Sequence, residues 1–246
     1  MAAGPLGARI GEGKEAEVFD AGTHVVKLYR DAADKPSAFR EAAILALVEG
    51  RDLPVPPVLG VASYGGRWGV AMGRASGQPF AVALQQPGSE AVLDAMARLH
   101  ALVHRRSGAG LPSQHRRLRD DIARAPRLGD GLRRRLLEAL AALPEGDRLC
   151  HGDFHPFNVL GTPEAATIVD WLDASQGDPA ADLCRSYVLM ERGAEAFARR
   201  YVAAYSRQAG IAAEAVFRWL PLLAAARLSE GVPQEEPRLI ALAETL

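Results

Sequence analysis

The residues richest in possible chemistry run from His151 to Asn158, reading H-G-D-F-H-P-F-N, and include Asp170 a little further on. Asp153 and Asn158 stand in the order D-x-x-x-x-N. Short apolar runs, Leu149-Cys150, Val159-Leu160 and Ile168-Val169, bracket the polar loop and deliver Asp170 after one hairpin's length of chain. A carboxylate, an amide oxygen and a second carboxylate on a small β scaffold suit phosphoryl transfer from a magnesium nucleotide. Asp153 would orient or accept the proton of an attacking hydroxyl. Asn158 and Asp170 would hold Mg²⁺, a hard cation that takes oxygen ligands. A rival chemistry is present in the same residues. His151, Asp153 and His155 alternate, so on an extended segment they would share a face and could ligate zinc or iron for a hydrolase, with Asp170 or Asp173 as further ligands. The plainest reading is that the two histidines only buttress a turn. The choice depends on whether a nucleotide-binding half lies upstream.

Upstream, Ile10 to Phe19 reads as a glycine-containing turn, G-x-G-x-x-A over Gly11, Gly13 and Ala16, followed by β-prone residues. Glycines let backbone N–H groups approach phosphates, but two in a loop are commonplace. A dinucleotide-binding turn would be followed by a helix. Here Glu17–Phe19 and His24–Tyr29 read as strands, which favours a phosphate-covering flap. Lys27 lies on the second strand and is one of only three lysines, with Lys14 and Lys35, in an arginine-rich chain. A position that keeps a compact ammonium stands out on that background, although an ordinary surface lysine is the plainer reading. Residues 36–49 open with Pro36 and end before Gly50, a helix by both signals. Glu41, early in that helix, is placed to reach Lys27. Residues 58–63 and 67–72 read as two strands around the Tyr64-Gly65-Gly66 turn, and residues 73–77 as a hinge.

The order is glycine loop, strand lysine, helix glutamate, hinge, H-x-D-x-x-x-x-N, then aspartate after a strand. This order resembles the protein-kinase-like fold, and in detail the aminoglycoside phosphotransferase and choline kinase group. The catalytic loop is His-Gly-Asp; Asp170 is followed by Trp171, Leu172 and Asp173; and residues 177–183 read G-D-P-A-A-D-L. The resemblance spans about Gly11 to Leu183. It implies an α+β, bilobal fold, with a β-rich N-lobe carrying one main helix (1–73) and a mostly α-helical C-lobe (74–246). It implies ATP as phosphoryl donor, Mg²⁺, and a small-molecule hydroxyl as acceptor: an aminoglycoside-like antibiotic, an amino alcohol, a sugar or another metabolite. Residue by residue, Gly11, Gly13 and Ala16 would form the phosphate flap, with Lys27 on the phosphates and Glu41 as its partner. Met72 would lie beside adenine, with Gly73 and Ala75 offering hinge backbone bonds. Asp153 would be the catalytic base, and Asn158 and Asp170 the metal ligands. Asp178 and Asp182 would brace the catalytic loop. Ala16 replaces a third glycine, and Phe157 stands where the group often has glycine. A protein-directed kinase or a non-catalytic ATP-binding protein is the remaining alternative to the hydrolase.

Composition narrows the setting. With 48 % hydrophobic and 24 % charged residues, and a net charge of −1, nothing points to nucleic acid or an anionic membrane. Cys150 and Cys184 lack metal-type spacing and read as buried free thiols. The N-terminus has no basic start followed by an apolar run, and no stretch is long enough to span a membrane, so a cytoplasmic location is expected. Residues 89–106 form a strong helix with Ser89 as N-cap. His100 and His104 lie on it one turn apart, structural or exposed, with no third ligand evident. Residues 114–143 are arginine-rich and read as solvated helix faces rather than a rim for an anionic substrate. Residues 180–191, 195–208 and 212–229 read as helices, the last kinked at Pro221, with one short helix after Gly231. Acidic and basic residues after Asp182 are roughly matched. A small hydroxylated metabolite is therefore as good an acceptor candidate as a polycationic antibiotic.

Overall fold

The computed structural model describes residues 6–86 and 88–246. Residues 1–5, part of the N-terminal stretch discussed above, lie outside them. In chain order the elements are β1 (Arg9–Glu12), β2 (Ala16–Asp20), β3 (His24–Tyr29), α1 (Lys35–Glu49), β4 (Val58–Tyr64), β5 (Arg67–Gly73), α2 (Phe80–Ala83), α3 (Glu90–His104), α4 (Gln114–Arg124) and α5 (Asp130–Ala141). They continue with β6 (Arg148–Cys150), β7 (Val159–Gly161), β8 (Ala166–Ile168), β9 (Ser175–Gly177), α6 (Pro179–Met190), α7 (Glu195–Ala209), α8 (Ala213–Phe217), α9 (Leu220–Arg227) and α10 (Glu236–Ala243). Two compact units result, residues 1–80 with 157–172, and residues 81–156 with 173–246.

The first unit is a five-stranded antiparallel sheet in the order β1-β2-β3-β5-β4, with β3 at its centre. Val25, Val26, Leu28 and Tyr29 of β3 are buried, as a central strand requires. Helix α1 packs on β4 and β5. It does so through Ala38, Glu41, Ile44, Leu45 and Val48, a three-and-four spacing that makes one buried face. The β7–β8 hairpin joins this unit through Gly161 N–H to Gln78 O (3.0 Å) and Ile168 N–H to Pro54 O (2.8 Å). Gly77 makes that approach possible: at φ +90° it sits so close that a Cβ would lie 2.7 Å from the Gly161 Cα.

The second unit is helical. α3 packs on α7, α6 on α7 and α9, and α4 on α5 and α9, while the short β6–β9 pair joins the chain on either side of residues 151–174. Asp178 caps α6 by accepting the Ala180 N–H at 2.7 Å, with Pro179 in the first turn. Two expectations are corrected. Residues 212–229 form two helices and a 3₁₀ turn (Leu228–Glu230), not one kinked helix. Pro221 lies in the first turn of α9, where its missing N–H is harmless, so it starts a helix instead of bending one. Ser89 precedes α3, but its side chain makes no capping bond. Among the described residues no helix is long and apolar enough to cross a membrane.

Candidate active site

In the first unit the glycine stretch is a β-hairpin. Gly11 lies on β1 opposite Val18, and Gly13 closes the turn through its N–H to Ala16 O at 2.8 Å. Ala16 is buried at the start of β2. The hairpin is followed by a strand, as the flap reading requires. β3 then carries Lys27 inward from its register opposite Val18 and Val70. The Lys27 Nζ is 2.8 Å from Glu41 Oε1 and 2.8 Å from Asp170 Oδ1. Burial alone would lower the lysine pKa, but the charges of Glu41 and Asp170 outweigh it and raise it, so the ammonium is firmly charged. The Tyr29 hydroxyl donates to the other Glu41 oxygen at 2.5 Å.

Asp170 follows β8 in a left-handed backbone conformation, φ +64°, rare for a residue with a side chain. That turn presents its carboxylate outward, 42 % exposed, while the next residue, Trp171, is buried with its indole N–H on Ile168 O (2.9 Å). Asn158 is buried, and its backbone carbonyl accepts the Val169 N–H at 3.0 Å, tying it to the segment that delivers Asp170. An amide oxygen and an exposed carboxylate make a hard oxygen donor set, which fits Mg²⁺. Phe157 beside them is exposed. Met72 is buried on β5. The Gly73 N–H donates to Pro57 O at 2.8 Å, and Ala75 lies just past the strand end, half-buried.

In the second unit Asp153 sits in a turn after β6. Its backbone N–H donates to His151 Nδ1 (3.2 Å), and its Oδ2 lies 3.4 Å from His155 Nε2. Burial works to raise the Asp153 pKa. The hydrogen bond and charge of His155, with Arg185 and His151 behind them, win and hold it well below the usual carboxylate range. The preceding peptide is fixed from several sides. Gly152 has φ +83°, and a Cβ there would stand 2.4 Å from Asp173 O. Arg185 Nε donates to Gly152 O at 3.3 Å, and Arg117 holds both the carbonyl and the carboxylate of Asp173 (2.8 and 3.1 Å).

The turn is braced from below by Asp182 of α6. Its Oδ2 accepts the His151 N–H (2.7 Å) and its Oδ1 the Gly152 N–H (2.8 Å). The same Oδ2 faces His100 Nε2 at 3.0 Å and His104 Nε2 at 3.1 Å, while Tyr201 and Tyr205 hydroxyls meet the two Nδ1 atoms at 2.7 and 2.5 Å. All are buried. A carboxylate accepts only, so both imidazoles turn an Nε2–H toward it; burial keeps both phenols protonated, donors to Nδ1. Four donors thus satisfy one buried carboxylate, which lies well below its usual pKa despite burial because His100 and His104 bond it. Phe154 stacks on His100 at 4.1 Å. The two histidines are therefore structural and not exposed, and Asp182 is the third group that their spacing alone did not reveal.

The metal-face reading of His151, Asp153 and His155 does not hold geometrically. Residues 151–155 form a turn rather than an extended strand, and His151 is buried with Nδ1 occupied by its own loop. Among the described residues, the group of three potential metal ligands with atoms within 4.8 Å of one another is His100, His104 and Asp182.

A five-stranded sheet with one main helix, followed by a helical part, is the architecture of kinase-like phosphotransferases, and solved structures of that class match it. A thermostable mutant of aminoglycoside phosphotransferase APH(4)-Ia, bound to ADP and hygromycin B, aligns with a TM-score of 0.64 at 19 % identity, covering 96 % of this chain and 87 % of that one. APH(3'')-Id from Streptomyces rimosus, bound to ADP and streptomycin, aligns at 0.63 and 19 % identity over 85 % and 90 %. A choline/ethanolamine kinase family protein from Mesorhizobium loti aligns at 0.60 and 23 % identity over 98 % and 85 %. Comparison with curated protein sequences gives no match. The chain belongs to the phosphotransferase enzyme family, whose sequence profile matches residues 7–220.

Proposed function

We propose that this phosphotransferase is a cytoplasmic small-molecule kinase, moving the γ-phosphoryl group of Mg-ATP to a substrate hydroxyl. The observation that carries the reading is the Lys27 ammonium held at once by the buried Glu41 and by the exposed Asp170. An ordinary surface lysine would not be held at 2.8 Å both by a buried helix carboxylate and by a second carboxylate 143 residues further on. In this reading residues 1–73 form the nucleotide-binding lobe, residues 74–246 the catalytic and substrate lobe, and residues 73–77 the hinge. Gly11 and Gly13 lie in the hairpin over the phosphates, and Gly73 and Ala75 offer backbone to adenine. Asn158 and Asp170 hold Mg²⁺, which when bound neutralises charge on the phosphate oxygens.

Lys27 binds phosphate oxygens and keeps them aligned. Asp153 accepts a hydrogen bond from the acceptor hydroxyl and takes its proton as the new O–P bond forms and the bond to the ADP oxygen breaks. A carboxylate held this far below its usual pKa is a weak base, so its work is mainly orientation, which a loose phosphoryl-transfer transition state tolerates. Among acceptors, a neutral or anionic metabolite is favoured over a polycation. Asp173, Glu230 and Glu235 of the second unit are each already paired with an arginine, respectively Arg117, Arg185 and Arg227.

The test is ADP release from Mg-ATP across aminoglycosides, macrolides, choline, ethanolamine, homoserine and amino sugars, with Asp153→Asn as control. A hit that disappears in the variant supports the reading and gives the acceptor class. A hit undiminished in Asp153→Asn, or wild-type protein that binds no nucleotide with Mg²⁺ present, refutes it.

A further inference from the structure

Tyr29 lies two residues beyond Lys27 on β3, so both side chains project from the same face of the sheet. Its ring is fully buried and its backbone carbonyl is pinned by Arg67 Nε at 2.8 Å. The phenol reaches Glu41 Oε2 at 2.5 Å while the Lys27 ammonium reaches Oε1 at 2.8 Å. One strand therefore grips both oxygens of one carboxylate.

A terminal carboxylate turns easily about its last torsion, whose energy profile is broad. Held by a single donor it would swing. Held by two donors from a rigid strand, it has one orientation. The Glu41 side chain is only 3 % exposed, so water does not replace the phenol. The other partner of Lys27, Asp170, is exposed and stands on a loop after β8, so the fixed side of the arrangement is Glu41.

We infer that Tyr29 is a positioning residue of the phosphate site: it orients Glu41, Glu41 orients Lys27, and the ammonium is thereby set for nucleotide phosphates. This rests on the ATP-binding reading above. Tyr29 itself need touch no substrate.

The experiment is calorimetric binding of ATP and adenosine to wild type and Tyr29→Phe, with Mg²⁺ present. Phenylalanine keeps the ring and removes one oxygen. ATP affinity is expected to fall about 5- to 20-fold, a fraction of what a hydrogen bond to a charged group contributes, while adenosine affinity stays unchanged. A merely structural role would lower both together. In a Lys27→Ala background, Tyr29→Phe should cause no additional loss of ATP affinity. Equal effects on ATP and adenosine, or wild-type ATP affinity in Tyr29→Phe, overturn the inference and leave the ATP-binding reading standing. Wild-type protein that binds no ATP overturns both. If Tyr29→Phe does not fold, Glu41→Gln serves, since an amide accepts at only one of its two ends. The same selective loss is expected, and undiminished ATP affinity there refutes the relay.

Discussion

His100 gives the sharpest quantitative prediction. It is fully buried, and burial first, then the neighbouring His104, push its pKa down to about 3, against the pull of its bond to Asp182. In the unfolded chain a histidine takes up its proton near 6.5. Between those values the unfolded state binds the extra proton, so stability is complete above about pH 6.5 and is lost as pH falls, by about 1.4 kcal/mol per unit. From pH 6.5 to 4.5 the loss is about 2 kcal/mol, a large part of the roughly 5–15 kcal/mol that holds a domain together. Carboxylates titrate mostly below that window, so Asp182, whose depressed pKa costs stability only as pH falls below about 4, does not confuse it. His100→Gln keeps an N–H for Asp182 and removes the titrating group. Urea midpoints at pH 7.5, 6.5, 5.5 and 4.5 should fall steeply for the wild type, and the variant should be flatter by about 2 kcal/mol across the window. Parallel curves for the two proteins would refute the reasoning, because they would mean that His100 is protonated in the folded protein as readily as in the unfolded chain.

Asp153→Asn should cut acceptor phosphorylation by about 10²-fold, as misplacement of the attacking hydroxyl does, with ATP affinity retained in calorimetry. Gly152→Ala places a Cβ 2.4 Å from Asp173 O at φ +83°, and should lower stability by about 1–3 kcal/mol in urea melts while impairing turnover. Asp170→Ala should remove the Mg²⁺ enhancement of ATP binding; an unchanged Mg²⁺ titration would count against Asp170 as a metal ligand. Cys150 and Cys184 are buried with thiol pKa values pushed up by burial, so a disulfide reagent should label neither until denaturant is added.

Several local features were legible in the sequence, though the roles of Ser89 and Pro221 were not. β3, α1 and the β4–β5 hairpin were legible because apolar period, Pro36, Gly50 and the Gly65-Gly66 turn all act within a few residues. The Lys27–Glu41 pairing was legible as a possibility because a strand and the next helix in line pack together. Tyr29 was not, since an aromatic on a strand looks like any core residue, and its hydroxyl acquires a meaning only from where Glu41 Oε2 lies. The arginine-rich stretch hid a distinction of the same kind. Arg133 collects the carbonyls at the end of α4 and Arg117 holds Asp173, while Arg119 pairs with its neighbour Asp120 at the surface. Charge pattern alone does not separate the three.

Asp182 explains why such features escape a linear reading. As a letter it is an acidic residue in the first turn of a helix, where the helix dipole alone would justify it. Its work depends on four donors: two backbone amides 31 and 30 residues earlier, and two imidazoles 82 and 78 residues earlier. His100 and His104 were visibly one helical turn apart, but that spacing names a face, not what the face meets. The pair reads as a potential metal site, a surface, or a brace depending on which group stands opposite. In the fold that group is a carboxylate already bonded to the His151 and Gly152 amides, so the histidines brace the turn that leads to Asp153 without touching Asp153.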